Sequence, residues 1–206
     1  MSDDVEVDGA SHAPIWAAFA DLMSVLLGAF VLILAGVVAV QLELSQKLDA
    51  EVKQRQQTLE QALAGPLAAG RVTLVDGRIG IRGNVLFALN SDQLQPEGRE
   101  VLRSLAAPLT GYLASREEIL MVSGFTDDAP IHDNNRRFAD NWELSAQRSL
   151  TVTRALIAEG VPADAVFSAA FGSEQPVSSN ADEEGRARNR RVDIAPIPRP
   201  KAGDGT

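Results

Sequence analysis

Apolar residues are concentrated in one long stretch near the N-terminus, residues 17–40, in which Asp21 and Ser24 are the polar exceptions. A helix rises about 1.5 Å per residue, so about 20 apolar residues span the roughly 30 Å hydrocarbon layer of a bilayer. The pattern predicts a transmembrane helix at residues 14–41. A cleaved signal peptide is the alternative, but it would begin with basic residues and have a shorter apolar stretch. Residues 1–13 are instead polar and acidic, and we expect them to be disordered.

The following segment, residues 42–70, is charged and helical in pattern, and it is predicted to be a helical linker. Leu48, Val52 and Leu59 have the a/d spacing of a coiled coil, but Arg55 interrupts the stripe. A short dimeric coiled coil and a solvated connector both fit this pattern.

From residue 71 the hydrophobic pattern alternates between strand and helix periods. The pair Asp76-Gly77 predicts a tight hairpin turn. This alternation predicts an α/β (α+β) domain over residues 71–195, with its helices packed on one mixed sheet. Residues 196–206 are rich in Pro and Gly and are predicted to be a loose tail. Within the domain, helices are predicted around residues 102–113 and 144–158, and extended segments at residues 85–87, 119–125, 166–171 and 192–194.

Charge and composition narrow the classes of function. The 206 residues carry a formal net charge of −9, which argues against a nucleic-acid partner because phosphate binding needs an excess of Lys and Arg. The chain has no cysteine, so disulfides and thiolate metal sites are excluded. The sequence shows no nucleophile–base pattern and no phosphate-binding loop. We therefore expect no enzyme activity and no cofactor.

Asp21 lies about one helical turn inside the apolar stretch, and an ionised aspartate in the middle of a transmembrane helix costs roughly 2.5–3.5 kcal/mol. Ser24, Gly28 and Ala35 share a face of small residues with it, and small residues allow helices to pack closely in lipid. A carboxylate in this position can take up a cation or a proton from one side of the membrane and release it to the other. The alternative is an interfacial aspartate that reaches the headgroups, for which its short side chain is poorly suited.

The residues around Asp21, residues 16–24 (WAAFADLMS), resemble the signature of MotB/PomB-type stator B subunits. The resemblance implies that Asp21 is the ion relay for H+ or Na+. It implies a homodimer whose paired helices lie inside a ring of polytopic MotA-type A subunits. It also implies an inner-membrane protein with a cytoplasmic N-terminus, a periplasmic C-terminal domain and a linker that can act as a plug.

Four further motifs occur in order in the second half of the chain. They resemble the OmpA-like peptidoglycan-binding domain of the same family, although Phe125 stands where that family usually has histidine. The resemblance implies that Asp127 and Arg148 hold the diaminopimelate of the peptidoglycan stem peptide. The motifs are residues 124–131 (GFTDDAPI), 141–148 (NWELSAQR), 171–177 (FGSEQPV) and 184–192 (EGRARNRRV).

Diaminopimelate carries both an amine and a carboxylate, so its recognition needs a fixed anion and a fixed cation at short range. Asp127 can accept hydrogen bonds from the ammonium group, and Arg148 offers a planar fork for the carboxylate. Asn141 and Thr126 are predicted to add hydrogen bonds. The alternative for Asp127 and Arg148 is a structural salt bridge between a loop and a helix.

Other polar residues are given structural interpretations. Ser145 can cap or support the start of a helix. The arginines of residues 186–191 are expected to pack over the final strand or to pair with the acidic surface. His132 and Asp133 are too few for a metal site, and a solvated loop is expected there.

The basic residues conflict with the implied topology. Residues 1–13 contain none, whereas Lys47, Lys53 and Arg55 follow the helix, and the positive-inside rule would place the C-terminal domain in the cytoplasm. Because long domains are translocated largely regardless of charge, a cytoplasmic N-terminus remains the prediction.

The sequence therefore predicts the B subunit of an ion-driven stator motor that relays ions through Asp21 and is anchored to peptidoglycan. A passive inner-membrane tether to peptidoglycan is the alternative. A non-flagellar stator relative, such as a Zorya-type anti-phage defence complex, is a third interpretation.

Overall fold

The computed structural model describes residues 13–88, 91–131 and 137–200, and the chain divides into two compact units, residues 1–53 and 54–206. The long helix α1 (Ala13–Ala62) begins in the first unit and ends in the second. By length and composition it can cross a membrane, since its most apolar window has a mean hydropathy of 2.7 and none of that window is buried within the chain. Large apolar side chains such as Leu32 and Ile33 are exposed and need an apolar environment that this chain does not supply.

A five-stranded sheet organises the C-terminal unit. Its order is β1-β2-β5-β3-β4, in which β3 and β4 are parallel and the other neighbours are antiparallel. The last strand of the chain is therefore inserted between β2 and β3, and Gly124 at the end of β3 pairs with Val192 near the start of β5. The strands are β1 (Thr73–Val75), β2 (Arg78–Arg82), β3 (Glu118–Gly124), β4 (Val166–Ala170) and β5 (Arg191–Pro198).

The hairpin between β1 and β2 follows the predicted turn. Asp76 and Gly77 both have positive φ, at 50° and 73°. A two-residue turn with both central residues in this region matches the twist of the flanking strands, and Asp-Gly is among the pairs that adopt it at low cost.

Helices connect and cover the strands. Pro96 stands at the start of α4, where a missing N–H costs nothing. Asp140 caps α5, because its Oδ1 accepts a hydrogen bond from the backbone N–H of Glu143 at 2.8 Å. In the described residues after α1 the helices are α2 (Ala64–Ala68), α3 (Gly83–Leu86), α4 (Pro96–Leu113), α5 (Asn141–Ala158) and α6 (Glu183–Asn189), with a 3₁₀ turn at Ala163–Ala165.

One hydrophobic core joins the sheet to α4 and α5, which confirms the predicted packing of helices on a mixed sheet. The core also contains Leu59 and Leu63, which are 2% and 0% exposed. The compact unit therefore begins inside the segment predicted as a linker. Buried core residues from the strands and from the two helices include Ile79, Ile81, Leu120, Val122, Val192, Ile194, Leu102, Leu105, Leu109, Val152 and Leu156.

Two local differences from the predicted elements have physical causes. The prediction of extended chain at residues 85–87 is wrong for its first two residues, which lie in α3, and Phe87 alone is extended. A short apolar run fits either state, and here Leu86 is held in the helix by close packing of Gly98 against its backbone. The final strand continues to Pro198, beyond the predicted end at residue 194, because β3 offers partners as far as Glu118.

Candidate functional site

The loop that follows β3 is fixed across one edge of the sheet. The backbone N–H of Phe125 donates to Arg191 O at 3.0 Å, and that of Thr126 donates to Gly172 O at 2.8 Å. Gly124 lets this edge approach α5, because a Cβ there would lie 2.1 Å from Ser145 O. The loop is therefore held on β5, on the segment after β4 and on α5, and it places Asp127 where these elements meet.

Asp127 is buried, at 8% exposure, and its carboxylate is already paired. Arg190 Nη1 donates to Asp127 Oδ2 at 2.6 Å, and Arg190 Nη2 donates to Glu183 Oε1 at 2.6 Å. Hydrogen bonds from Arg190 and Arg186 lower the pKa of Glu183. Arg190 thus bridges two carboxylates, and among the described residues no donor contacts Asp127 Oδ1, which is left for a ligand.

Arg148 projects from α5 and is 5% exposed. Its Nε donates to Ser91 O at 2.9 Å, and its guanidinium carbon lies 5.3 Å from the ring centre of Phe87. Burial lowers the pKa of Arg148 to about 10, and the nearby Asp127 carboxylate opposes this shift. The group therefore stays protonated at neutral pH in a buried position.

Within the described ranges, Arg148 forms no ion pair, and its terminal amino groups make no hydrogen bond. The structural salt bridge with Asp127, which was the alternative interpretation, is not among the ion pairs of the described residues, since Asp127 pairs with Arg190 instead. A buried cation without an anionic partner is unfavourable, so the site is suited to an anionic ligand.

Asn141 and Thr126 lie in the same cluster, but the side chain of Asn141 is hydrogen-bonded within it whereas that of Thr126 is not. Asn141 Nδ2 donates to Ala129 O at 3.0 Å and to Asp127 O at 3.3 Å, so its amide ties the loop to the start of α5. Thr126 is 4% exposed, and its Oγ1 is buried without a hydrogen-bond partner in the described structure. A buried hydroxyl without a partner is uncommon in folded proteins, and Thr126 is therefore a candidate for a role beyond packing.

Sequence reasoning assigned the arginines of residues 186–191 a structural role and so missed Arg190 as a member of this cluster. Arg186 and Arg188 do make local ion pairs with Glu183 and Glu184. Arg190 is different, because it comes just before β5 and β5 lies beside β3. The strand order is the information that identifies Arg190 as part of the cluster. Because β3 and β5 are antiparallel neighbours, the residue before β5 lies beside the loop after β3.

The remaining candidates have separate positions. Ser145 is not the α5 cap, which is Asp140, but its Oγ accepts from Gly172 N at 3.1 Å and so supports the helix start against the segment after β4. His132 and Asp133 lie outside the described residues. Across the described ranges, no group of three His, Cys, Asp or Glu residues is placed to hold a metal ion.

Asp21 lies on α1 in the N-terminal unit. On the same helix Ser24 Oγ donates to Ala20 O at 2.8 Å, so this hydroxyl is satisfied locally. Gly28 and Gly36 have nothing within 4 Å of the position that a Cβ would take. The small-residue face that contains Asp21 is therefore open for close contact.

The family assignment follows from the part of the chain that contains the site. A profile of the OmpA family matches residues 86–190, about half of the chain, and this segment includes Asp127, Arg148 and Arg190. The chain belongs to the OmpA family.

Relatives of this OmpA-family chain include wall-binding and motility proteins. Peptidoglycan-binding protein ArfA from Mycobacterium tuberculosis is 35% identical over 136 residues, which are 65% of this chain and 39% of ArfA. Motility protein B from Bacillus subtilis is 38% identical over 122 residues, which are 56% of this chain and 46% of that protein. The chain therefore spans less than half the length of these two relatives.

Solved structures that resemble this chain also include MotB proteins. A MotB-like protein from Desulfovibrio vulgaris superposes with a TM-score of 0.64 and 31% identity, covering 76% of this chain and 99% of that one. The periplasmic domain of Helicobacter pylori MotB gives a TM-score of 0.56 and 27% identity, covering 65% of this chain and 80% of that one. These matches are consistent with the resemblance to MotB/PomB-type proteins and confirm the OmpA-like fold.

Proposed function

We propose that this chain is a stator B-type anchor, which binds peptidoglycan through the Asp127–Arg148 cluster and relays ions through Asp21. The observation that carries the wall-binding part is the buried guanidinium of Arg148, which has no carboxylate partner among the described residues although Asp127 lies near it. The relatives support the assignment, since ArfA is a peptidoglycan-binding protein and Motility protein B is a motility protein.

The proposed ligand is the diaminopimelate of a peptidoglycan stem peptide. Its carboxylate would accept hydrogen bonds from the terminal nitrogens of Arg148, which supplies the missing counter-charge. Its ammonium group would donate to Asp127 Oδ1, because Oδ2 is occupied by Arg190. Thr126 Oγ1 would gain the partner that it lacks, and Asn141 would act by holding the loop.

Wall binding is tested by co-sedimentation of the detergent-solubilised full chain with purified sacculi. We expect Asp127→Asn and Arg148→Gln each to weaken binding by about tenfold or more, because each leaves a ligand charge buried and unpaired. Arg154→Gln is the matched control, since Arg154 is an exposed arginine on the same helix, α5. Binding that is unchanged in both site variants would rule out this site.

The proposed ion relay rests on an acidic residue within a helix that can cross a membrane. We propose a single-pass protein of the cell inner membrane, with a cytoplasmic N-terminus, a periplasmic OmpA-like domain, a homodimeric helix pair and a polytopic MotA-type partner. The transported ion is H+ or Na+. A cation that crosses the membrane gains about 2.3 kcal/mol per 100 mV, which can drive movement of the partner.

The relay is tested with Asp21→Asn in cells that make both subunits, with Asp21→Glu as the control that keeps a carboxylate. We expect the asparagine variant to abolish ion flux while the complex still co-purifies with the polytopic partner. Normal flux in the asparagine variant would show that Asp21 is not the relay.

A passive peptidoglycan tether is the second candidate. It is favoured by the extent of the family match, which covers residues 86–190 and does not reach α1. This candidate predicts that Asp21→Asn changes nothing, whereas the Asp127 and Arg148 variants still lose sacculus binding.

A further inference from the structure

A groove on the sheet lies next to the Asp127 cluster and is not used by the function proposed above. Its volume is about 740 Å³, which is enough for a ligand of several sugar or amino-acid units. Its apolar lining includes Met121, Phe125 and Phe171, and the rings of Phe125 and Phe171 are stacked with centroids 5.1 Å apart. Phe125 is 3% exposed, so Phe171, which is half-buried, is the aromatic residue of this lining that a ligand can reach.

Two arginines from β2 supply positive charge to this groove. Ile79 and Ile81 point into the core, so the alternate residues Arg78, Gly80 and Arg82 line the groove. Within the described structure Arg78 and Arg82 form neither an ion pair within 4 Å nor a side-chain hydrogen bond, although Arg78 lies within electrostatic range of the Asp193 carboxylate. They are four residues apart on one strand, so their Cα atoms are separated by about 13 Å.

Gly80 keeps the space between these two arginines open. A Cβ at this position would lie 2.7 Å from Thr73 Oγ1 and 3.6 Å from Asp193 Oδ1. A side chain at residue 80 would therefore occupy the floor between the two guanidinium groups.

The other charges in the groove are largely neutralised in place. Arg191 Nε donates to Asp193 Oδ2 at 3.1 Å, and its guanidinium stacks 3.7 Å from the centre of the Phe125 ring. Arg188 is paired with Glu184. Among the described lining residues the acidic groups are Asp76 and Asp193, and the Asp193 carboxylate interacts with both Arg191 and Arg78. The groove thus has a positive balance in a chain whose net charge is −9.

The groove and the Asp127 cluster share two short stretches of backbone. Phe125 lines the groove, and Asp127 follows it by two residues. Arg190 pairs with Asp127, while its neighbour Arg191 lies against Phe125 in the groove. The groove and the Asp127 cluster are therefore neighbours along these two stretches of backbone.

We propose that this groove is a second peptidoglycan subsite, in which Arg78 and Arg82 bind carboxylates of the polymer beyond the stem peptide held at Asp127 and Arg148. The inference rests on the wall-binding function proposed above. Peptidoglycan contains peptides that carry repeated carboxylates, and guanidinium groups are well suited to bind them. A second copy of this chain fits less well, because a symmetric contact would place Arg78 and Arg82 against the same arginines.

The test compares two ligands of the detergent-solubilised full chain: a soluble stem peptide that contains diaminopimelate, and intact sacculi. In the double variant Arg78→Glu with Arg82→Glu, we expect sacculus affinity to fall by about tenfold and stem-peptide affinity to change by less than about twofold. The milder double variant with Gln at both positions should weaken sacculus binding by about threefold. The charge-matched control is Arg99→Glu with Arg154→Glu, two exposed arginines on α4 and α5.

Sacculus binding equal to that of the control would overturn the proposal and leave the groove as a solvated face or a site for an acidic protein. Equal losses for both ligands would also overturn it, because the effect would then lie at Asp127. Failure of the wall-binding function is recognised separately, since the Asp127→Asn and Arg148→Gln variants would then still sediment with sacculi.

Discussion

Asp127 and Arg190 form an ion pair of 2.6 Å across the edge of the sheet, and this pair leaves Arg148 as a buried cation without a carboxylate among the described residues. In the absence of ligand, the negative charge of Asp127 is thus already neutralised by Arg190, whereas the positive charge of Arg148 has no carboxylate beside it among the described residues. A ligand carboxylate that reaches Arg148 would therefore relieve an existing cost, while a ligand ammonium at Asp127 would have to share its acceptor with Arg190.

Replacing Arg148 with methionine should separate stability from binding. The substitution removes a buried, unpaired charge and keeps an apolar stem, so we expect the free energy of unfolding to stay the same or to rise by about 1–2 kcal/mol. Sacculus binding should be lost, because the ligand carboxylate loses its partner. Denaturant unfolding and co-sedimentation measure the two effects. A large drop in stability would instead identify Arg148 as a structural residue.

The Asp127–Arg190 pair should show a measurable coupling energy. A double-mutant cycle with Asp127→Asn and Arg190→Gln is expected to give a coupling of about 1–3 kcal/mol in the free energy of unfolding, because both side chains are mostly buried. The exposed pair of Glu184 and Arg188 provides the control cycle, in which we expect less than about 1 kcal/mol. Equal coupling energies in the two cycles would contradict the conclusion that the buried Asp127–Arg190 pair stabilises the domain more than an exposed ion pair does.

Local patterns predicted the elements of this fold better than its site. The Asp76-Gly77 turn and the leucine spacing of α4 are encoded within a few residues, and both were predicted correctly. The partner of Asp127 is 63 residues away in the sequence. Its position depends on the insertion of β5 between β2 and β3, and no local periodicity contains that information.

Leu63 lies near the end of the predicted linker but is buried in the core of the C-terminal unit, so this part of the linker should contribute to the stability of that unit. Leu63 is completely buried, so Leu63→Ala is expected to lower the free energy of unfolding by about 2–5 kcal/mol. Leu48→Ala is the matched control, since Leu48 is 54% exposed in the N-terminal unit and should have little effect. Both are measured by denaturant unfolding of the full chain in detergent. A negligible effect at Leu63 would show that this segment is not packed on the domain.

Tyr112 should make stability fall at alkaline pH. Burial, together with the nearby Glu118 carboxylate, raises the pKa of Tyr112 to about 12. A tyrosine in the unfolded chain ionises near pH 10, so the unfolded state loses its proton before the folded state does. The stabilising contribution of the neutral phenol is therefore complete below about pH 10 and is lost as the pH rises towards 12. The chain has one tyrosine, so tyrosinate absorbance reports this group directly. Tyr112→Phe should remove this part of the pH dependence, and an absorbance midpoint near 10 would contradict the prediction.

Gly124 should be intolerant of even one added carbon atom. A Cβ at this position would lie 2.1 Å from the carbonyl oxygen of Ser145, which is backbone and cannot rotate away. We expect Gly124→Ala to destabilise the domain by about 1–3 kcal/mol or more and to displace the loop that holds Asp127, so that sacculus binding also falls.

Gly111→Ala provides the control for this substitution. Gly111 lies in α4 with nothing within 4 Å of its Cβ position, and alanine there should stabilise the helix by about 0.5–1 kcal/mol. Thermal unfolding and co-sedimentation of both variants separate the two cases. If Gly124→Ala kept wild-type stability and binding, β3 and α5 would have to be farther apart than the structure places them. Asp127, in the loop after β3, and Arg148, on α5, would then no longer define one site.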